Sequence, residues 1–500
     1  MSSSTINIQF GTSGYRGIIG DSFTIEEVRL IAQSVGIYLL DRCEDSQSPK
    51  ITIGYDPRNG NSTDLEDGSF TKVIVDELMD LGIDVLFFDR YIPTPMISWT
   101  ITNQGLDGGL ILTASHNPPE YNGLKFNPRN GAPAPTSVTT VIQDIAQELI
   151  SRSRSLPAAS QKGVLTRLSS LDPFCDHILS LCHDLIGQNT VSFNDQTAVF
   201  VDAKHGTTGP VWDGILSRLG VSYSIRHLEP RSDFGGIETN PVQVSSLADL
   251  QSDIRSSKAA SVMGFANDPD GDRHMILDEN GDGLSPEETC AIIYDYLATH
   301  TDTPLLGLGT TIASSQLIKT VAKHCNCELD ETAIGFKYFA PFFEKAKLSN
   351  KLALGVESSG GFSVSTHTYE KCGFLPGLLL LFISKVTNKS LSTLKSDLIA
   401  KYGSWTFVED VFNYDGTKKQ QLIDLFRTAT NESLAPQFSG SISEVITLDG
   451  LKIVFDNTDW VLVRLSGTEP IARIYAESED VSRARSLSEE ATRLLSNTIH

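Results

Sequence analysis

Short apolar runs alternate with amphipathic stretches along most of this chain, and that alternation decides what it can fold into. Ile51-Thr52-Ile53-Gly54-Tyr55 reads as a strand ending at Asp56-Pro57-Arg58, and a helix then passes through Val73-Ile74-Val75 and Leu78. Ile83-Asp84-Val85-Leu86-Phe87-Phe88 and Gly109-Leu110-Ile111-Leu112 read as further strands. Ahead of them, Thr24-Ile25-Glu26-Glu27 fits a capping box that opens a helix through about Leu40, with Val28, Ile31, Val35 and Tyr38 on its apolar side. Strand, helix, strand, helix, strand implies parallel pairing through right-handed crossovers.

The cycle recurs. Ser151 to Gly163, rich in serine with Pro157 and paired alanines, reads as a linker. Strands at Ala198–Asp202, Ser222–Ile225 and Val262–Ala266 follow, the first leading into the loop His205-Gly206-Thr207-Thr208-Gly209. A third cycle opens at Ser285-Pro286-Glu287-Glu288, a capping box with proline at the first helical position, and carries strands Leu305–Gly309 and Leu352–Gly355. These three cycles read as weak internal repeats. The tail differs: a helix at Gln420 to Phe426, strands Trp460–Val463 and Arg473–Ala476, and a closing helix from about Ser482 suggest a smaller α+β unit.

Bulk properties limit the function. The 500 residues allow three to five domains. With 40 basic against 62 acidic side chains, the net charge of −22 argues against nucleic acid or an anionic membrane as partner. It does not argue against a small anionic ligand, which needs only a local basic cleft. The longest apolar stretch, Gly377-Leu378-Leu379-Leu380-Leu381-Phe382-Ile383, is far short of a membrane span and reads as a buried helix. Met1-Ser2-Ser3-Ser4-Thr5 has no basic region before an apolar core, so no signal peptide is expected. Seven scattered cysteines suggest reduced thiols and a cytoplasmic location, and His324-Cys325-Asn326-Cys327 has no second cluster to complete a zinc site.

Several loops carry chemistry-bearing residues. Thr113-Ala114-Ser115-His116-Asn117-Pro118-Pro119-Glu120-Tyr121-Asn122-Gly123-Leu124-Lys125 follows a strand end, where ligands collect in open α/β sheets. Pro118 and Pro119 stiffen the loop, and Asn122-Gly123 reads as the tight turn that returns the chain. A hydroxyl with an imidazole beside it and an ammonium on the returning strand makes a candidate nucleophile; the alternative is an ordinary turn with a surface serine. Phe10-Gly11-Thr12-Ser13-Gly14-Tyr15-Arg16-Gly17 could receive a phosphate or be a glycine-rich turn. Asp268, Asp270 and Asp272 stand at alternate positions after a strand, a spacing that can aim three carboxylates at a hard divalent cation rather than at solvent. An EF-hand is excluded because Arg273 stands where the sharp-turn glycine is required; Asp278-x-Asn280-x-Asp282-Gly283, with Thr289 in place of the bidentate Glu, reads as a hairpin turn. Glu357 and Ser359, in a glycine-bounded loop, suit sugar hydroxyls or a flexible turn. Arg464, Ser466, Gly467 and Thr468 suit a phosphate nest or a common turn, and Lys337 a substrate cation or a surface lysine.

Taken together and in this order, from Phe10 to Ala476, these motifs resemble those of the α-D-phosphohexomutases, with Thr113 to Lys125 similar to that family's phosphoserine loop. The resemblance is closest to the phosphoglucomutase/phosphomannomutase branch; phosphoglucosamine mutases typically have Asp where Ser13 stands. It implies an α/β protein of four domains around a central cleft: 1–155 with the phosphoserine loop, 156–284 with the metal loop, 285–398 with the sugar loop, and a C-terminal α+β domain at 399–500 with the phosphate loop. It implies that Ser115 carries a phosphoryl group and that Asp268, Asp270 and Asp272, with Ser115, hold Mg²⁺. Arg16 and Arg273 would stabilise the transferring phosphate, while Lys125 and His116 assist proton transfer. Lys337, Glu357 and Ser359 would bind substrate, and Arg464, Ser466, Gly467, Thr468 and Arg473 would hold the phosphate that is not reacting.

The implied reaction interconverts glucose 1-phosphate and glucose 6-phosphate, with mannose phosphates as further substrates and glucose 1,6-bisphosphate as intermediate and activator. The implied state is a monomer or weak homodimer. Alternatives on the same scaffold are a phosphopentomutase, a sugar-bisphosphate synthase or a non-catalytic sugar-phosphate-binding paralogue, and a serine phosphatase is a further one. Four positions depart from the family's pattern: Ser358 where related branches have Glu or Met, Cys372 in place of Asp, Leu465 in place of Pro and Ile471 in place of a basic residue. These bear on a secondary substrate contact and on the shape of the phosphate pocket.

Overall fold

The computed structural model describes residues 6–43, 48–187, 191–193, 196–466 and 469–499. Three mixed sheets flanked by helices are followed by a fourth, wholly antiparallel sheet. In the first sheet Lys50–Tyr55 lies parallel between Gly108–Leu112 and Asp84–Phe88, as the alternation predicts. Tyr121–Pro128 then runs antiparallel to Gly108–Leu112, because a link as short as 113–120 cannot cross over to a parallel strand.

The same device appears in each unit. In the second sheet the parallel strand Ser261–Asn267 turns through 268–273 into antiparallel His274–Leu277. In the third, Leu352–Val356 turns through 357–361 into antiparallel Phe362–Val364. The loops that carry Ser115, Asp268 and Glu357 are thus each the connection between a buried parallel strand and its returning partner. Asn122-Gly123 is not the returning turn. Both residues lie within Tyr121–Pro128, and the chain reverses earlier, through the Asn117 N–H to Ala114 O bond at 3.1 Å and the Tyr121 N–H to Pro118 O bond at 3.1 Å. Gly123 is required for close approach, since a Cβ there would lie 2.5 Å from Thr113 O and 2.8 Å from Tyr15 O.

Local caps match expectation. Thr24 and Ser285 both close capping boxes, over Ile25–Leu40 and Pro286–His300. The Asp278 stretch is a hairpin turn between His274–Leu277 and Gly283–Leu284. The first sheet also takes Leu165–Leu168 as an edge strand beside Asp84–Phe88, so it runs past residue 155, where its unit was expected to end. This four-residue strand is half exposed and has no apolar pattern to announce it.

One apolar core spans the first three units, beside a separate core inside the first. It joins Met96, Ile97 and Ile101 of the helix Thr94–Gln104 to Phe174 and Ile178 of Asp172–Ile186, Trp212 of Gly209–Leu219, Ile293 of Pro286–His300 and Leu378 of Leu375–Thr387. The Leu375–Thr387 helix is buried from Leu375 to Ser384, consistent with its unbroken leucine run. The fourth unit packs Leu487, Ala491 and Leu495 of Val481–Ile499 against its own sheet. It docks on the third through Ile312, Ala313, Trp460 and Leu462, with the Gln316 N–H donating to Glu477 Oε2 at 2.7 Å. No disulfide joins any of the seven cysteines, and no helix among the described residues is long and apolar enough to cross a membrane.

His177 Nε2 lies 3.0 Å from His367 Nδ1 where the first three units meet, under Trp99. Burial lowers the pKa of both rings below the usual imidazole range. Unfolded chain therefore binds more protons than folded chain below about pH 6.5, and stability must fall as pH drops through that value. Thermal melts from pH 7.5 to pH 5 should show this fall, and the double variant His177→Gln/His367→Gln should reduce its slope, the buried His116 and His274 rings supplying the remainder. An unchanged pH slope in that variant would place the acid sensitivity elsewhere.

Candidate active site

The three returning loops meet in one place. Ser115 Oγ donates to Asp268 Oδ2 at 2.7 Å, a contact between residues 153 apart in sequence. Arg273 of the second loop forms an isolated β-bridge with Gly361 of the third. Ser115, Asp268, Asp270 and Asp272 are all buried to within 1% of full enclosure. Ser115 has φ of +54°, a left-handed conformation that non-glycine residues rarely hold without external support.

Asp268, Asp270 and Asp272 each offer one oxygen, all within 4.8 Å of one another. Asp270 Oδ1 and Asp272 Oδ1 have no hydrogen-bond partner, which fits a cradle for a cation. Two lysines compensate the charge. Lys125 Nζ, from the returning strand of the first unit, lies 2.7 Å from Asp270 Oδ2 and 3.0 Å from Asp272 Oδ2. Lys371 Nζ, from the third unit, lies 3.1 Å from Asp272 Oδ2 and 3.5 Å from Glu370 Oε1. Burial alone would raise all three carboxylates. It does raise Asp268, with Asp270 and Asp272 adding to it, whereas Lys125 carries Asp270 and Asp272 below the usual range against that penalty. Burial lowers Lys125, but Asp270 and Asp272 outweigh it and hold the ammonium charged.

His116 Nδ1 lies 3.3 Å from Ser115 Oγ. Burial, then the Arg273 and Arg16 guanidinium groups, push its pKa down to about 2, so the ring is neutral at pH 7. Arg16 Nη1 donates to Asn117 Oδ1 at 2.6 Å, on a strand registered against Gly123. Arg273 Nε sits 3.9 Å from both Asp268 Oδ2 and Asp272 Oδ1 and makes no hydrogen bond, leaving that donor free for an anion. Glu357 is buried, and burial raises its pKa; Ser359 beside it is half-buried. Lys337 Nζ donates to Thr136 Oγ1 of the first unit at 3.1 Å.

The fourth unit contributes a separate basic group. Arg464 and Arg473 face each other in register on neighbouring strands. Arg464 Nε donates to Asp449 at 3.1 Å, and Asp449 Oδ2 also accepts from the Ile334 N–H of the third unit at 3.1 Å. Ser466 O accepts from Lys419 Nζ at 3.0 Å, while Arg473 Nη1 pairs with Glu409 at 2.7 Å. Gly467 and Thr468 lie outside the described residues. Lys371 and Lys419 are contributors that the sequence reading passes over. Lys371 adjoins the noted Cys372, and only the fold brings either lysine to its loop.

Sequence models of the phosphoglucomutase/phosphomannomutase family match along the chain. They cover α/β/α domain I at residues 7–153, domain II at 172–281, domain III at 285–402 and the C-terminal domain at 418–494. A phosphoglucomutase/phosphomannomutase of Thermococcus kodakarensis is 27% identical over 98% of this chain and 99% of its own. A phosphoglucosamine/phosphogalactosamine mutase of Sulfurisphaera tokodaii is 26% identical over 97% and 98%. Among solved structures, a phosphoglucomutase/phosphomannomutase family protein of Burkholderia thailandensis superposes with a TM-score of 0.77 at 20% identity, covering 100% of this chain and 98% of that one. The open form of Paramecium parafusin, a phosphoglucomutase, gives 0.75 at 22% identity over 99% and 96%. Fold and loops define an α-D-phosphohexomutase, an isomerase that moves a phosphoryl group within its substrate. The chain belongs to the phosphoglucomutase/phosphomannomutase family. Differently named mutases match it at nearly equal identity, so overall similarity does not separate their sugars.

If the aspartate cradle takes a cation, Mg²⁺ should raise the melting temperature of the wild-type protein relative to EDTA, because a ligand that binds only the folded state stabilises it. Asp270→Asn should abolish that shift. A shift of equal size in the variant would show the ion binding elsewhere.

Proposed function

We propose that this protein is a hexose-phosphate mutase interconverting glucose 1-phosphate and glucose 6-phosphate, and acting also on mannose phosphates. The observation that carries the reading is the 2.7 Å contact between Ser115 Oγ and Asp268, which joins a candidate phosphoryl carrier to a buried acidic cradle. In this reading phosphorylated Ser115 transfers its phosphoryl group to the free hydroxyl of the sugar phosphate. The P–O bond to Oγ breaks as the bond to the sugar oxygen forms, giving glucose 1,6-bisphosphate. The bisphosphate turns over, and its other phosphoryl group returns to Ser115.

Phosphoryl transfer needs positioning and charge neutralisation more than covalent help. Asp268, Asp270 and Asp272, with phosphorylated Ser115, would hold Mg²⁺, which when bound supplies positive charge to the phosphoryl oxygens. Arg16 and Arg273 face the same oxygens. Neutral His116, 3.3 Å from Ser115 Oγ, assists proton transfer at that oxygen once the negative charge of the phosphoryl group offsets the neighbouring guanidinium groups. Lys125, held charged by two aspartates, neutralises the site and returns a proton to the departing oxygen. Lys371 shares the neutralising part. Glu357, Ser359 and Lys337 bind the sugar. Arg464, Ser466, Gly467, Thr468 and Arg473 grip the phosphate that is not reacting. One site must take the sugar in two orientations, which is why a second phosphate pocket on a separate unit is useful. Seven cysteines without a disulfide among them suit a cytoplasmic enzyme.

A coupled assay with glucose 1-phosphate, Mg²⁺ and catalytic glucose 1,6-bisphosphate tests this. Ser115→Ala should lose at least about 10³-fold in kcat, and intact mass should show one phosphate on the wild type and none on the variant. Undiminished turnover in the variant would refute the nucleophile, and steady release of inorganic phosphate would indicate a phosphatase. Mannose 1-phosphate, glucosamine 6-phosphate and ribose 5-phosphate run in parallel rank the sugars. The amino sugar is included because relatives so named match as well as the others.

A further inference from the structure

Arg58 lies three residues after the strand Lys50–Tyr55 and touches neither the aspartate cradle nor any group assigned to substrate. It is nevertheless fully buried, with 0% of its surface exposed. A guanidinium carries five N–H donors in a rigid fork, and here each of the five is used. Nε donates to Asp56 Oδ2 at 3.0 Å. Nη2 donates to Ser115 O at 2.6 Å and Asn117 O at 2.7 Å. Nη1 donates to Pro118 O at 2.7 Å and Tyr121 O at 2.8 Å. One side chain thus holds four carbonyls of the loop that carries Ser115.

The partner of that guanidinium reaches the other side of the same residue. Asp56 Oδ2 accepts from Thr113 Oγ1 at 2.7 Å, and Thr113 Oγ1 accepts from the Ser115 N–H at 2.8 Å. Both backbone polar atoms of Ser115 are therefore tied, through one intervening group at most, to the Asp56–Arg58 ion pair. Ser115 is also the loop residue held at φ of +54°. A strained residue persists only where its surroundings over-determine it. The second unit completes the enclosure: the Phe234 ring lies 4.8 Å from the Arg58 guanidinium, and Thr239 Oγ1 donates to His116 O at 2.7 Å.

We propose that Arg58, backed by Asp56 and Thr113, is the positioning residue of the phosphoryl-transfer loop: it holds Ser115 in its left-handed conformation and so aims Oγ at the reacting phosphorus. The proposal rests on the mutase reading of Ser115. A generic core ion pair would stabilise the whole first unit, whereas this one converges on the backbone of a single loop. Lysine cannot replace it, since an ammonium has three donors, no fork and a shorter reach.

The test uses the full-length protein and the variants Arg58→Lys and Thr113→Val. The second variant keeps the side-chain shape while removing the hydroxyl between Ser115 N–H and Asp56. Three quantities are read: the rate at which dephosphorylated enzyme takes up phosphate from glucose 1,6-bisphosphate, by intact mass; the affinity of dephosphorylated enzyme for glucose 6-phosphate, by calorimetry; and amide exchange of the peptide covering residues 113–121. For Arg58→Lys we expect uptake slowed about 10²-fold, the size typical of a misplaced reacting group. Thr113→Val should slow it about 10-fold. Both should exchange faster in that peptide while binding glucose 6-phosphate within about 3-fold of wild type.

Uptake within about 3-fold of wild type in Thr113→Val and in folded Arg58→Lys would overturn the proposal. So would a fall in sugar-phosphate affinity that parallels the loss of rate, because that marks general damage. If Arg58→Lys fails to fold, Thr113→Val alone decides. Wild-type protein that takes no phosphate at Ser115 would sink the mutase reading and the proposal together. Phosphorylated wild type with an equally fast Thr113→Val would sink the proposal alone.

Discussion

The site depends on a buried charge balance shared among three units. Asp268, Asp270 and Asp272 lie together out of water, and removing even one carboxylate from solvent costs several kcal/mol in real proteins. Lys125 from the first unit and Lys371 from the third offset that cost at 2.7–3.1 Å. Neither the acidic loop nor the two lysines would be stable where they are without the others. Two aspartate oxygens, Asp270 Oδ1 and Asp272 Oδ1, keep no hydrogen-bond partner, which is what a site for a divalent cation requires.

That balance forms because each unit builds its loop in the same way. A buried parallel strand ends, the chain crosses a short loop, and an antiparallel strand carries it back. The hairpin geometry holds each loop at a sheet end, and a single apolar core joining helices of all three units sets the sheets relative to one another. Phosphoryl transfer rewards this rigidity, because most of the catalytic effect lies in placing charge before the reaction begins. The fourth unit has its own core and a smaller contact with the third. It carries Arg464 on a strand whose guanidinium is tied through Asp449 to Ile334, two residues before Phe336. The Asp449 carboxylate thus bridges the strand bearing Arg464 to the third-unit segment that leads to Lys337.

The elements most legible in the sequence were those with local signals. Capping boxes at Thr24 and Ser285 start helices as expected, and the leucine run at 377–383 is buried all round. The Asp268-x-Asp270-x-Asp272 spacing does bring three carboxylates together. Elements without local signals were missed. The helix Thr94–Gln104 mixes buried Ser98 and Thr100 with apolar residues, which blurs its period, and the edge strand Leu165–Leu168 has no alternation. Asn122-Gly123 looked like a turn because that dipeptide tolerates left-handed backbone, yet Gly123 is there for the space it leaves between two carbonyls. Lys371 and Arg58 gave no local clue, since a single cation in a sequence does not say what it will face.

By itself the sequence determined the periodicities, the helix starts and the residue types at each strand end, because these follow from backbone geometry and neighbours a few positions away. Only the tertiary structure decided which loops meet, since that depends on how helices of different units share one apolar core. It also decided the protonation of the site. Burial and the Arg273 and Arg16 guanidinium groups push His116 far below the ordinary imidazole range, and Asp270 and Asp272 keep Lys125 charged in a buried site that alone would lower it; those partners come from distant parts of the chain.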